Sequence, residues 1–268
     1  MAQRLLAVLL CLSSAGVASG EVRVLKLADG KSFAMGKVDS RRLLSPEMGA
    51  RQLTLNYSVF QPGFEFPQHV HPRSDDIFLV LQGQCDVRQG DSRRRMRAGQ
   101  AVFVPAGQIH GGIAAGKGRS ILISFQCPPD EVLYTGQRDS SKPGAAGPVG
   151  AITPGAVKIV NFAAHSGVFF GPRQGSNKAT AAHWKLDPGK TLSVRNPADG
   201  EQFLFVWKGR LELRTADETL RVGQRETVFL AGSEALEAVN PGPNQTVVIQ
   251  VSARGESSSG PAEARPGE

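Results

Sequence analysis

The chain has few of the side chains that build disulfide scaffolds, aromatic clusters or membrane spans. Only 3 cysteines occur in 268 residues, too few for a disulfide framework. Aromatic residues make up 6%, and they do not interleave with the basic ones. A groove that stacks nucleic-acid bases is therefore excluded. No run beyond the first twenty residues approaches the ~18–20 apolar residues of a membrane-spanning helix. No amphipathic helical period is found. Glycine, in contrast, is abundant at 31 residues, with 17 prolines and no Gly-X-Y repeat. That composition excludes collagen and calls for many tight turns between short strands. Apolar residues reach 40%, enough to build a core and to exclude wholesale disorder. The net charge of +7 is scattered, apart from Arg93, Arg94, Arg95 and Arg97, which read as a solvated run in a hairpin loop.

Residues 1–20 have the pattern of an export signal. Arg4 precedes the apolar stretch Leu5–Leu12, and small residues run from Ser13 to Gly20. Cleavage after Ala18 or Gly20 is expected, leaving a secreted or periplasmic protein without membrane contact. Leu10 stands where a lipoprotein signal has a small residue, so Cys11 is not expected to carry lipid. Cys85 and Cys127 then remain, either joined in an oxidising compartment or as two separate buried thiols. Asn56-Tyr57-Ser58 and Asn244-Gln245-Thr246 are glycosylation sequons, with meaning only in a eukaryotic secretory route.

The chain carries one unit written twice. Leu53–Cys127 and Thr180–Val251 share a layout of turns. Pro62-Gly63 matches Pro188-Gly189 and Gly83 matches Gly209 at an offset of 126, Gly99 matches Gly223 at 124, and Gly107 matches Gly232 at 125. Each unit reads as short strands, among them Leu53–Phe60, Ile77–Leu81, Ala101–Val104 and Ile121–Phe125 in the first. Phe203–Trp207, Leu211–Leu213, Thr227–Leu230 and Thr246–Val251 are the counterparts in the second. The pattern is that of an all-β sandwich or small barrel, in two tandem copies. The expected organisation is a signal at 1–20, a first barrel at 21–130, a linker at 131–158, a second barrel at 159–252 and a polar tail at 253–268.

The chemistry concentrates in the first copy. His69 and His71, two apart on a strand, point to one face. Asp76 opens the next apolar strand, and His110 follows the turn Pro105-Ala106-Gly107, which can aim it inward. Three imidazoles and a carboxylate suit one divalent transition metal: Fe, Mn, Cu, Ni or Zn. Asp75 competes with Asp76 by adjacency. In the second copy Arg195 and Pro197 stand at the first two histidine positions, Gln202 at Asp76, Ala235 at His110 and Leu230 at the motif proline. That barrel is expected to hold no metal. His165 and His183 lie outside both motifs and read as structural.

Gly63-x5-His69-x-His71-x4-Asp76-x6-Gly83 and Gly99-x5-Pro105-x-Gly107-x2-His110 resemble the paired motifs of the cupin family, a double-stranded β-helix (jelly-roll) barrel. The resemblance covers both copies and departs in having Asp76 where glutamate is usual. Aspartate is one methylene shorter, so its oxygen reaches a metal only if the strand moves inward; otherwise the site is three histidines and a water. Metal in the first barrel alone makes the chain similar to quercetin 2,3-dioxygenase. The resemblance implies a metal-dependent dioxygenase acting on a small enol, dicarbonyl or flavonol-like substrate, with His69, His71, Asp76 and His110 as ligands and Asp76 as the catalytic proton acceptor. A metal-dependent isomerase, lyase or oxalate-type decarboxylase is the alternative, and a non-catalytic small-molecule-binding or storage protein is a further one. Phe64, Phe66, Phe78 and Phe103 are candidates for packing around the site. The cupin strand order also implies that Cys85 and Cys127 are neighbours joined by a disulfide. The expected partner is a small molecule, not nucleic acid, with the chain a monomer or homo-oligomer.

Overall fold

The computed structural model describes residues 21–35, 37–130, 150–197, 199–216, 218–232 and 235–254. The expected signal at 1–20, most of the linker and nearly all of the tail lie outside the described residues. The described residues are strands joined by turns and short 3-10 segments, without an α-helix. The first half holds β1 (Glu21–Leu25), β2 (Lys31–Met35), β3 (Val38–Leu44), β4 (Leu55–Phe60), β5 (Glu65–His69), β6 (Asp75–Gln82), β7 (Gln84–Gln89), β8 (Ser92–Arg97), β9 (Gln100–Val104), β10 (His110–Ala115) and β11 (Ser120–Cys127). The second holds β12 (Lys158–Asn161), β13 (Gly167–Phe170), β14 (Ala179–Leu186), β15 (Thr191–Arg195), β16 (Glu201–Lys208), β17 (Leu211–Arg214), β18 (Thr219–Val222), β19 (Thr227–Ala231), β20 (Ala235–Val239) and β21 (Thr246–Ala253).

Each half folds as a barrel of one large and one small sheet. The first pairs the order β12-β9-β6-β11-β4-β3-β2 with β5-β10-β7-β8, and the second pairs β1-β19-β16-β21-β14-β13 with β15-β20-β17-β18. The halves exchange edge strands. β1 lies along β19 of the second barrel, and β12 lies along β9 of the first. The expected boundaries at 21–130 and 159–252 therefore do not separate the barrels, because each end of the chain's first half and linker completes the other unit.

The large sheets are apolar on both faces, which is why β6 and β16 read as continuous hydrophobic runs. One face of β6 and β11 sends Val80 and Leu122, with Phe78, into the first barrel. The opposite face sends Ile77, Leu79, Ile123 and Phe125 against Phe170, Phe203, Phe205, Phe229 and Ile249 of the second half. Phe125 meets Phe203 edge-on with ring centroids 5.9 Å apart. The interior of the second barrel is filled by aliphatic side chains such as Leu192, Leu204, Val206, Leu213, Val228 and Val248.

Two buried carboxylates lock the barrels together reciprocally. Asp75, at the start of β6, accepts the Ser176 hydroxyl at 2.7 Å and the Lys178 ammonium at 3.3 Å from the loop before β14. Glu201, at the start of β16, accepts backbone N–H groups of Arg51 at 2.6 Å, Gln52 at 2.7 Å and Leu53 at 3.2 Å from the loop before β4.

Four expectations need correction. Cys85 and Cys127 are free thiols. β7, which carries Cys85, pairs with β8 and β10, whereas β11 pairs with β4 and β6. Cys85 therefore faces the interior of the first barrel and Cys127 the core between barrels. The counterpart of Gly99 is Arg225: each donates its N–H across a turn, to the Val80 and Val206 carbonyls respectively, and each has positive φ, 89° and 67°. Leu230 pairs with Gln202 as Val104 pairs with Asp76, so Ala231, not Leu230, stands at the proline position. The four arginines lie on β8 itself, where Met96 points inward and the Arg95 guanidinium is paired with Asp86.

Glu201→Ala leaves three backbone N–H groups without their acceptor and is expected to lower stability by on the order of 3 kcal/mol in a denaturant titration. Arg51→Ala, whose side chain is 72% exposed, should change it by less than ~0.5 kcal/mol. Burial pushes both thiols up to about 12. They should resist alkylation in the folded chain at pH 8 and both react on unfolding without reductant; a protected pair under those conditions would restore the disulfide.

Candidate metal centre

β5 and β10 run antiparallel with His69 opposite His110. β5 ends at His69, and His71 lies just beyond it. Gly111, next to His110, lets β10 approach β5: an added Cβ would stand 2.9 Å from the Phe66 carbonyl oxygen. β6 then brings Asp76 in beside Val104 and Gln126. One ligand atom from each of His69, His71, Asp76 and His110 lies within 4.8 Å of all the others, and all four residues are buried. The shorter aspartate does reach: its Oδ2 is 3.0 Å from His110 Nε2 and 3.7 Å from His71 Nε2. Asp75 faces the other way, into the contact with Ser176.

Each ring is anchored by its outer nitrogen. His69 Nδ1 lies 2.8 Å from the Pro67 carbonyl and His110 Nδ1 3.1 Å from the Gln108 carbonyl. His71 Nδ1 lies 2.8 Å from the Asp130 carboxylate. An Nδ1 facing an oxygen acceptor carries the proton, so the Nε2 lone pairs turn inward. His69 and His71 Nε2 are only 3.1 Å apart. Two lone pairs at that distance repel unless a proton or a metal ion lies between them. The buried Asp76 Oδ1 has no hydrogen-bond partner among the described residues. Converging lone pairs and a spare carboxylate oxygen fit a divalent transition ion.

The side chains of the cluster shift in different directions. Burial holds the His69 imidazole well below its usual range, reinforced by His110 and His71. His71 is also buried, but its bonds to Asp130 and Asp76 prevail and raise it to about 9. Burial works to raise Asp76, yet the bonds from His110 and His71 hold its carboxyl well below the usual range.

The cluster opens on a pocket that reaches solvent, lined by Phe33, Phe60, Phe66, Phe78, Asn56 and Gln126 among others. Phe66 and Phe78 match the expected aromatic packing. Phe103 instead faces the core between barrels, and Phe64 packs on the wall of the first barrel's interior. Phe33 and Phe60 were not expected there: Phe33 arrives on β2, a strand with no counterpart in the second half. Asp130 was also missed, since it lies outside both histidine motifs. Asn56 faces the cavity and is 6% exposed, so its sequon is not reachable in the folded chain, whereas Asn244 is exposed.

The second barrel replaces the cluster with neutral groups that satisfy one another. Gln202 donates to the Arg195 carbonyl and to Asn196 Oδ1, and accepts from Gln250, which in turn accepts from Trp184. Arg195 pairs with Ala235 as His69 pairs with His110. His183 Nδ1 lies 3.0 Å from the His165 carbonyl and its ring packs on Phe162, a structural setting for both histidines.

Residues 56–125 match the family model described as a cupin domain. The chain is 33% identical over 72 residues to the tetracenomycin polyketide synthase protein TcmJ of Streptomyces glaucescens, covering 26% of this chain and 48% of that one. It is 29% identical over 91 residues to oxalate oxidase 2 of Hordeum vulgare, covering 31% and 41%. The chain thus spans less than half the length of these curated relatives. The solved structure of the bacterial pirin YhhW of Escherichia coli in complex with nickel(II) superposes with a TM-score of 0.65 at 15% identity, covering 86% of this chain and 98% of that one. Residues 56–125 thus match a cupin domain, and the superposition shows that the two barrels have the cupin fold.

Elemental analysis of the purified chain is expected to show close to one transition-metal ion per molecule, abolished by His69→Ala combined with His110→Ala. Retention of that metal in the double variant would place it elsewhere.

Proposed function

We propose that this bicupin is a metal-dependent dioxygenase of an exported compartment, acting on a small planar enol, dicarbonyl or flavonol-like substrate. The observation that carries the reading is the cavity wall. Four phenylalanines surround it, and no lysine or arginine lines it among the described residues. A neutral or singly charged conjugated molecule is stabilised there by ring contacts, whereas a small dianion would find no fixed positive side chain.

His69, His71, His110 and Asp76 would hold the ion. When bound, such an ion supplies Lewis-acid polarisation of a substrate enolate oxygen and orients it toward O₂. Asp76 Oδ1, without a partner of its own, accepts the hydroxyl or enol proton. Phe33, Phe60, Phe66 and Phe78 exclude water from the reacting face and fix the plane of the substrate. The apolar face that a lone barrel would leave exposed is buried against the second barrel, which supports a monomer.

Chemistry on a small acid such as oxalate, whether its oxidation by O₂ or a redox-neutral decarboxylase, isomerase or lyase reaction, is the second reading, favoured by the local likeness to an oxalate oxidase. Oxygen uptake and the substrate turned over together separate the readings. The metal-loaded chain should consume O₂ with flavonols or β-dicarbonyls, and Asp76→Ala should lower that rate by about 10²-fold or more, in the range of a lost general base. Turnover of oxalate, with or without O₂ uptake, and none of flavonols or β-dicarbonyls would select the second reading. No turnover of any of these by metal-loaded protein would favour a binding or storage role.

A further inference from the structure

His71 differs from the other two histidines in how its ring is held. His69 and His110 anchor Nδ1 on carbonyls two residues back in their own segments, Pro67 and Gln108. Such contacts come with the strand. His71 lies past the end of β5, and its Nδ1 is held instead by a carboxylate 59 residues further on. We propose that Asp130 is a positioning residue of the metal centre, holding the His71 ring so that Nε2 points at the ion. The proposal rests on the metal reading of the four-residue cluster.

The placement of Asp130 is built. It follows β11 through Pro128 and Pro129, whose fixed φ angles stiffen the exit from the strand. The side chain is buried, with the residue 6% exposed, and Oδ2 lies 2.8 Å from His71 Nδ1. On the other side of the ring, Gln126 Nε2 is 3.0 Å from His71 Nε2. That inward contact gives way when Nε2 takes an ion, whereas the Asp130 contact on the outer nitrogen does not compete with it. Charge gives a second argument. A divalent ion with Asp76 alone would leave one net positive charge in a buried site, which is costly. Asp130 supplies the second negative charge without occupying a coordination position. A carboxylate behind a ligating imidazole also raises its basicity and fixes its orientation.

The test uses the full chain, zinc(II) alone and a competing chelator of known affinity. Asp130→Ala is expected to weaken zinc binding by about 10–100-fold, the usual loss on removing an outer-sphere partner of a metal ligand. Asp130→Asn keeps an oxygen acceptor for Nδ1–H and should recover the share of that loss due to orientation, and not the share due to charge. A metal-free readout stands beside this: the downfield ring N–H proton of His71 Nδ1 in nitrogen-edited NMR should be present in the wild type and Asp130→Asn, and absent in Asp130→Ala. Zinc affinity of Asp130→Ala within about twofold of wild type would overturn the proposal, as would an asparagine variant no better than alanine. If the wild type takes up no zinc while the His71 proton behaves as described, Asp130 still holds the ring, and it is the metal reading that fails. Absence of that proton from the wild type removes the Asp130 contact itself.

Discussion

On β6 the backbone alternates, so Asp75 and Asp76 leave the sheet in opposite directions. Asp75 goes outward to Ser176 and Lys178 of the other half, and Asp76 goes inward to His110 and His71. One strand start thus anchors the inter-barrel contact and completes the ligand cluster. Any slip of β6 by one residue would exchange the two acids, unfastening the second half and withdrawing the carboxylate from the site together. The register is defended by apolar burial on both faces: Ile77 and Leu79 outward, Phe78 and Val80 inward. Glu201 repeats the outward half of this arrangement on β16. Gln202 inherits the inward position, and there the chemistry changes.

The two barrels show what distinguishes a ligand site from a filled core on the same scaffold. Three imidazoles with anchored Nδ1 atoms and a carboxylate satisfy one another only in part by hydrogen bonds, and Asp76 Oδ1 is left without a partner among the described residues. Gln202, Asn196 and Gln250 each carry donor and acceptor, so the corresponding position in the second barrel closes into a neutral network. The space left is taken by Leu192, Leu204 and Val248. Substitution of ligands by amides and aliphatics converts a reactive cavity into packing without altering the strand order.

Much of this was legible in the sequence because it is encoded locally. Histidines two apart, an acid at a strand start and glycine-proline turns at a constant spacing specify the barrel and place His69, His71, Asp76 and His110 together. The duplication was legible for the same reason. Four things were not. The exchange of β1 and β12 has no local signal, since an edge strand carries no mark of the sheet it joins. The turn after β18 keeps its shape with Arg225 at positive φ, so aligning glycines with glycines shifted the match to Gly223. The disulfide was inferred from a strand pairing that does not occur, and the alternation of β11 sends Cys127 into the inter-barrel core while Cys85 stays inside the first barrel. Asp130 escaped because it acts on His71 through space, at a separation no short motif spans.

The connection between the barrels explains why a half without ligands belongs to the site. It leaves the first barrel through Asp130, which holds His71. It returns at Gly150 and Ala151, where the Ala151 carbonyl accepts from Ile109 and Gln108 exchanges side-chain bonds with Thr153. An added Cβ at Gly150 would stand 2.3 Å from Val70 Cγ2, so the connection lies directly against the segment between His69 and His71. Both ends of the link therefore brace the two segments that present histidines. Beyond them, β12 covers the edge of β9, and the second barrel covers the outer face of β6 and β11. The loops that carry the imidazoles are by themselves irregular and end-of-strand, where backbones are least constrained. Their rigidity comes from what packs behind them, and in this chain that packing is supplied by the copy whose own ligands are gone.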